Sequence, residues 1–260
     1  MTARWVGAAA VEFVTLPYRF FQRCDTASIT GDGETIWGRG NQYPPQTTDI
    51  GFVWHGSSFE VSGVYVRNAS SFDGSTAVGV QYRSPRYGGY TYPMLDGEPL
   101  PFPDFESNCE GSECLQPCAE PGDCEAAANG LSEDGRVIVG SARFVSGAGS
   151  RRAVRWQIDA QTAGVSSSFL SVIASEALAL SDDGRIAAGQ EQPEEEPVAT
   201  LWIDGQAQRV DALLVAAGVL PDGWRLTRVN SLSPDGHFLV GEGFNVAGEA
   251  EGWVAHLPEL

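Results

Sequence analysis

Positive charge is scarce in this 260-residue chain: 16 arginine and lysine side chains stand against 34 acidic ones, for a net charge of −18. Such a surface cannot neutralise phosphates, which argues against nucleic acid as a ligand and against docking on anionic lipid. Beyond that, acidity mainly promotes solubility. Long apolar runs are missing too. No stretch approaches the roughly 20 apolar residues that span a bilayer as a helix, so no membrane insertion is expected. The amino-terminal MTARWVGAAAVEFV has one arginine and a short mixed run, without the clean apolar segment and cleavage site of a signal peptide. Catalytic signatures are absent as well: there is no G-x-S-x-G elbow, no H-E-x-x-H and no P-loop.

What is present in quantity is turn material. The chain holds 31 glycines and 15 prolines against 42% hydrophobic residues, the composition of a turn-rich domain with enough apolar mass for a core. All-β folds routinely run past 200 residues as one unit, so residues 1–260 are read as a single domain. Its five cysteines are unevenly placed. Cys109, Cys114, Cys118 and Cys124 cluster in CEGSECLQPCAEPGDC. They lack the paired C-x-x-C knuckles of ribbon-type zinc sites, and two loop-stapling disulfides are the preferred reading. That places the chain in an oxidising compartment: extracellular, at the cell surface or periplasmic. An export signal would then have been removed or lie upstream of Met1. Cys24 is left over as a buried free thiol.

Internal repetition decides the fold class. Five segments share one spacing: SITGDGETIWG, ASSFDGSTAVG, GLSEDGRVIVG, ALSDDGRIAAG and SLSPDGHFLVG. Each has Ser or Thr, one residue, Asp-Gly, four residues and a closing Gly. Asp-Gly is a strong hairpin signal because it tolerates the positive φ of a tight turn, and the preceding hydroxyl can bond local backbone. Asp32, Asp73, Asp134, Asp183 and Asp235 are therefore assigned to turns rather than to a carboxylate ring. A strand ending in an aromatic follows each hairpin, at Trp54, Trp156, Trp202 and Trp253, with GYTY near Tyr92 in the second module. A fourth strand is expected after it, as in SFEVSGV at 58–64 or QAQRVDAL at 206–213. Four strands per unit is the blade of a β-propeller, so the expectation is an all-β propeller of about five to six four-stranded blades, with the aromatic as a plug between blades. TARWVG and AVEFVTL at the amino terminus look like the third and fourth strands of a unit. Either they complete the last blade, or the chain starts inside a longer array. Residues 97–125 are expected to be an irregular, cysteine-containing loop between modules.

The [ST]-x-D-G-x4-G core and the Trp strand that follows it resemble the HAF family of probable extracellular repeats in bacterial proteins. The similarity is strongest in GWRLTRVNSLSPDGHFLVGEGFNVAGEAEGWVAHLP and covers nearly the whole chain except the cysteine loop. It implies an exported location and a propeller-like fold, and no reaction.

For function the sequence offers loops more than chemistry. His55, His237 and His256 occupy different positions in different modules. Glu194, Glu195 and Glu196 read as a solvated loop. Asn68-Ala69-Ser70 matches a glycosylation acceptor but falls within an inner strand. No cofactor is expected; calcium held in acidic loops at millimolar affinity is the one metal weighed, and no spaced D-x-D-x-D loop supports it. The loops joining second and third strands share one face, and Tyr43, Tyr82, Arg83, Arg86, Tyr87 and Tyr90 collect there. Tyrosine and arginine are enriched in recognition surfaces. The leading expectation is a monomeric, non-enzymatic exported protein that binds a protein or a carbohydrate through that face. One alternative is a polysaccharide-acting enzyme, a glycoside hydrolase or lyase, with two carboxyls about 5–10 Å apart at the central channel. The other is a purely structural surface repeat.

Overall fold

A computed structural model describes residues 2–6, 10–14, 21–30, 34–42, 49–55, 58–63, 65–71, 73–82, 91–102, 124–144 and 150–257. The chain is a five-bladed β-propeller built of small antiparallel sheets. Blade one is β3 (Phe21–Ile29), β4 (Thr35–Gln42), β5 (Asp49–His55) and β6 (Ser58–Gly63). Blade two is β7 (Tyr65–Ser70), β8 (Ala77–Tyr82), β9 (Thr91–Leu95) and β10 (Glu98–Pro99). Blade three is β11 (Cys124–Leu131), β12 (Val137–Phe144), β13 (Arg152–Ile158) and β14 (Val165–Phe169). Blade four is β15 (Ala174–Leu180), β16 (Ile186–Gln192), β17 (Val198–Ile203) and β18 (Gln206–Arg209). Blade five has three strands among the described residues, β19 (Arg225–Leu232), β20 (Phe238–Phe244) and β21 (Ala250–His256). The amino-terminal β1 (Thr2–Val6) and β2 (Ala10–Val14) pair with each other as a separate two-stranded sheet and do not join β21.

The repeat motif builds the first hairpin of every blade. In blade four the Gly184 N–H bonds the Ser181 carbonyl at 2.9 Å. The Ile186 N–H bonds the Ser181 hydroxyl oxygen, also at 2.9 Å. The hydroxyl donates in turn to Asp183 Oδ1 at 2.7 Å, and Oδ1 accepts the Arg185 N–H at 3.0 Å. The same set recurs around Ser71 and Asp73, Ser132 and Asp134, and Ser233 and Asp235. In these four motif turns only the glycine of the Asp-Gly pair has positive φ, for example 72° at Gly184; the aspartate's role is the hydrogen bond. Asp32 lies outside the described residues.

The closing glycine has a different cause. Each inner strand carries a register shift opposite it: between Ala128 and Gly130, Ala177 and Ala179, and Val229 and Ser231. The irregularity drives a carbonyl toward the neighbouring strand. A Cβ at Gly189 would lie 1.9 Å from the Glu176 carbonyl oxygen, and one at Gly140 1.9 Å from that of Ala127. No side chain fits there.

Blades stack through alternate faces of their sheets, as a period of two requires. Ile138, Val154 and Trp156 of blade three face blade two, meeting Val78 and Leu100. Val137, Val139 and Ala153 face blade four, meeting Ala177, Ala187 and Trp202. Trp156 and Trp202 thus plug the gaps between blades, each opposite the residue two before the closing glycine, Ile138 and Ala187. Two modules depart from the expected aromatic position. In blade two, Asp96 stands where the tryptophan would, bonding the Ala77 N–H at 2.7 Å, while Tyr92 packs edge-on against Phe102. In blade five Trp253 sits two residues earlier, opposite Gly241.

Two further expectations are corrected. Residues 206–213 form a strand only to Arg209; helix α1 (Val210–Ala216) follows, because Val210 and Leu214 repeat at helical spacing and are buried together. The 97–125 loop is narrower at both ends: Glu98–Pro99 pair with β9, Leu100 and Phe102 pack into the core between blades two and three, and Cys124 already opens β11. Residues 103–123, with Cys109, Cys114 and Cys118, lie outside the described residues.

Candidate functional site

The turn face is laced from blade to blade. The Glu133 N–H donates to the Asp182 carbonyl at 2.9 Å, and the Asp182 N–H to the Pro234 carbonyl at 2.9 Å. The aspartates of this face point into their own turns. Hydrogen bonds hold three of them below the usual carboxylate range. The Ser75 N–H does so for Asp73, the Arg185 N–H for Asp183, and the Ser233 hydroxyl, ahead of the His237 N–H, for Asp235.

The opposite ends of the inner strands carry charge. The chain contains no lysine, so all its cations are arginines. Arg143 bonds Glu125 at 2.7 Å, Arg151 bridges Glu125 and Glu176 at 3.9 and 3.5 Å, and Arg228 reaches Glu176 at 3.2 Å. This line of alternating charge joins blades three, four and five. The two carboxylates on it are both engaged by guanidinium groups. Between blades, Asn68 donates to the Ala128 carbonyl and Asn129 to the Ala177 carbonyl, each at 2.9 Å. Both asparagines sit at the register shift of their inner strand, and the Asn68 amide is committed to packing.

Of the tyrosine and arginine loop, Tyr82 ends β8; Tyr43, Arg83, Arg86, Tyr87 and Tyr90 lie outside the described residues. The histidines do not converge. His55 is on blade one beside the Thr35 hydroxyl. His237 bonds the Leu257 carbonyl, and His256 stacks on Phe238 with ring centres 4.3 Å apart. Among the described residues no group of three His, Cys, Asp or Glu is placed to hold a metal ion, and no helix is long and apolar enough to cross a membrane.

The feature that sequence reasoning missed is an apolar groove of about 570 Å³ on blade five. Leu214, Leu220 and Trp224, from α1 and the segment after it, form one wall. Five consecutive residues of β21, Gly252–His256, form the other. In blades three and four the outer edge of the third strand is covered by a fourth, β14 or β18. Among the described residues β21 has no such partner. The outward face of this blade is open too. Phe238 is 50% exposed and Val240 40%, whereas their repeat equivalents in blade three, Val137 and Val139, are 7% and 0%. The helical spacing of Val210 and Leu214 and the terminating Gly218 (φ 70°) could have revealed the wall. The edge position of β21 among the described residues could not be seen before the pairing was known.

No family model and no curated protein matches the chain. Solved structures do. One assigned to TolB of Agrobacterium tumefaciens aligns over 90% of this chain and 82% of its own, with TM-score 0.52 and 11% identity. A puromycin hydrolase in complex with PGG aligns over 86% of this chain and 38% of its own, with TM-score 0.50 and 14% identity. TolB of Acinetobacter baumannii aligns over 90% of this chain, which spans only 54% of that protein, with TM-score 0.47 and 16% identity. At these identities the first two likenesses show the propeller fold alone.

Proposed function

We propose that this chain is an exported, non-enzymatic repeat protein of the HAF kind whose propeller binds another protein. The observation that supports this reading is the groove on blade five. It is apolar, open and bounded by β21, which is an edge strand among the described residues, and exposed apolar surface of this sort marks interaction sites on soluble proteins. The cysteines at 109, 114, 118 and 124 would staple a loop in the oxidising compartment. The Tyr43 and Tyr82–Tyr90 loops would add a second contact region on the face where second and third strands join.

The test is selection of displayed random peptides against the purified, oxidised chain. Val219→Arg serves as counter-target; Val219 lines the groove and is 60% exposed, so the variant keeps its fold. Peptides that bind the parent and not the variant are expected. Peptides that bind both equally, or no enrichment at all, would remove the groove from the function. Release of oligosaccharides from a cell-wall polysaccharide panel would overturn the non-enzymatic reading.

A further inference from the structure

We infer that the groove receives an extended segment of the partner as the fourth strand of blade five. The segment runs antiparallel to β21, with apolar side chains at alternate positions and basic residues at its carboxyl-terminal end. The inference rests on the protein-binding reading above and specifies its mode.

The other blades show what the place accepts. In blade three, β14 pairs with β13 over Val165–Phe169. Val165 and Phe169 are partly buried against the core, while Ser166 and Ser168 are exposed. The same position in blade five is the groove. Among the described residues β21 is an edge strand there, and an edge strand presents N–H and C=O groups that template one more strand. Leu214, Leu220 and Trp224 line the wall that would meet its inward side chains. Pairs of sequential strands in these sheets are antiparallel throughout, and the inferred strand follows the same rule.

Charge fixes the rest. Glu249 and Glu251, at the start of β21, share the Asn245 amide at 3.0 and 2.6 Å. Among the described residues no arginine pairs with either, and Asp222 on the facing turn is exposed and likewise unpaired. In an antiparallel arrangement the carboxyl-terminal end of the added strand passes these carboxylates. A second copy of this chain is the poorer occupant, because each copy brings a net charge of −18.

Three fluorescein-labelled peptides test this by anisotropy with the full chain. They are Val-Ser-Ser-Ser-Phe-Lys-Lys, the same residues with both lysines moved to the amino end, and the first peptide N-methylated at its serines. Saturable binding of the first is expected, about fivefold tighter than of the second, as two exposed charge pairs allow. The preference should vanish in Glu249→Gln/Glu251→Gln. The N-methylated peptide should not bind. Because the chain has no lysine, carbodiimide coupling of the first peptide should place its lysines on Glu249 or Glu251, read by mass spectrometry. Equal binding of the N-methylated peptide would overturn strand addition and leave the groove as a protein site. So would failure of all three to bind or to compete with display-selected peptides. Failure of both the defined and the selected peptides would overturn both readings. Sedimentation as a dimer that the first peptide does not dissociate would assign the edge to a second copy.

Discussion

At the scale of single residues, the repeat motif divides into positions that bond and positions that must be empty. Ser181 is buried, and its hydroxyl is the acceptor for the Ile186 N–H. Ser181→Ala leaves that donor without a partner, and a loss of about 1–3 kcal/mol is expected in urea denaturation. Gly189→Ala should cost about 3 kcal/mol or more, because its Cβ would meet a backbone carbonyl that cannot move aside. The turn carboxylates make a pH prediction. Asp73, Asp183 and Asp235 have folded-state pKa values below the unfolded one. Their contribution is therefore complete above the unfolded value, near pH 4, and is lost as pH falls through the lowered values. A plateau in melting temperature down to about pH 4 and a decline below it are expected, with the decline shallower in Asp183→Asn. The spacing of these residues was plain in the sequence. Their division of labour was not: the closing glycine looks like turn punctuation until the register shift opposite it is seen.

At the scale of elements, the four-strand unit was legible because alternation and turn residues recur five times. Where one module departs from the others, repetition misleads. Tyr92 reads as the aromatic plug of blade two, but the register puts Asp96 there. VDAL at 210–213 reads as the end of a strand, yet the helical contact of Val210 with Leu214 prevails over the repeat. Two of the well-placed plugs, Trp156 and Trp202, should also differ in kind. Trp156 donates its Nε1 hydrogen to the Pro101 carbonyl at 2.7 Å, whereas Trp202 Nε1 is buried with no acceptor among the described residues. Both fill similar gaps, so Trp156→Phe should be more destabilising than Trp202→Phe by about 1 kcal/mol, measured as the difference in unfolding free energy.

At the scale of the whole molecule, blades three and four are covered on both faces, and blade five is covered on one. Amide hydrogens of β20 and β21 should therefore exchange faster than those of β12 and β16, by mass-resolved hydrogen exchange, and slow when a groove peptide is bound. Sequence periodicity announced the blade number closely but could not announce this asymmetry, because which strand stands at an edge among the described residues depends on the pairing and not on the repeat. The bonds of the turn face carry a related consequence. Among the described residues blade three lends a donor to blade four and blade four to blade five, Glu133 to Asp182 and Asp182 to Pro234, and proline has none to lend. An array that grows by tandem duplication can therefore copy its earlier modules and keep the lacing intact. A module placed after one with proline there would meet a donorless link, so the lacing stops at one imino acid.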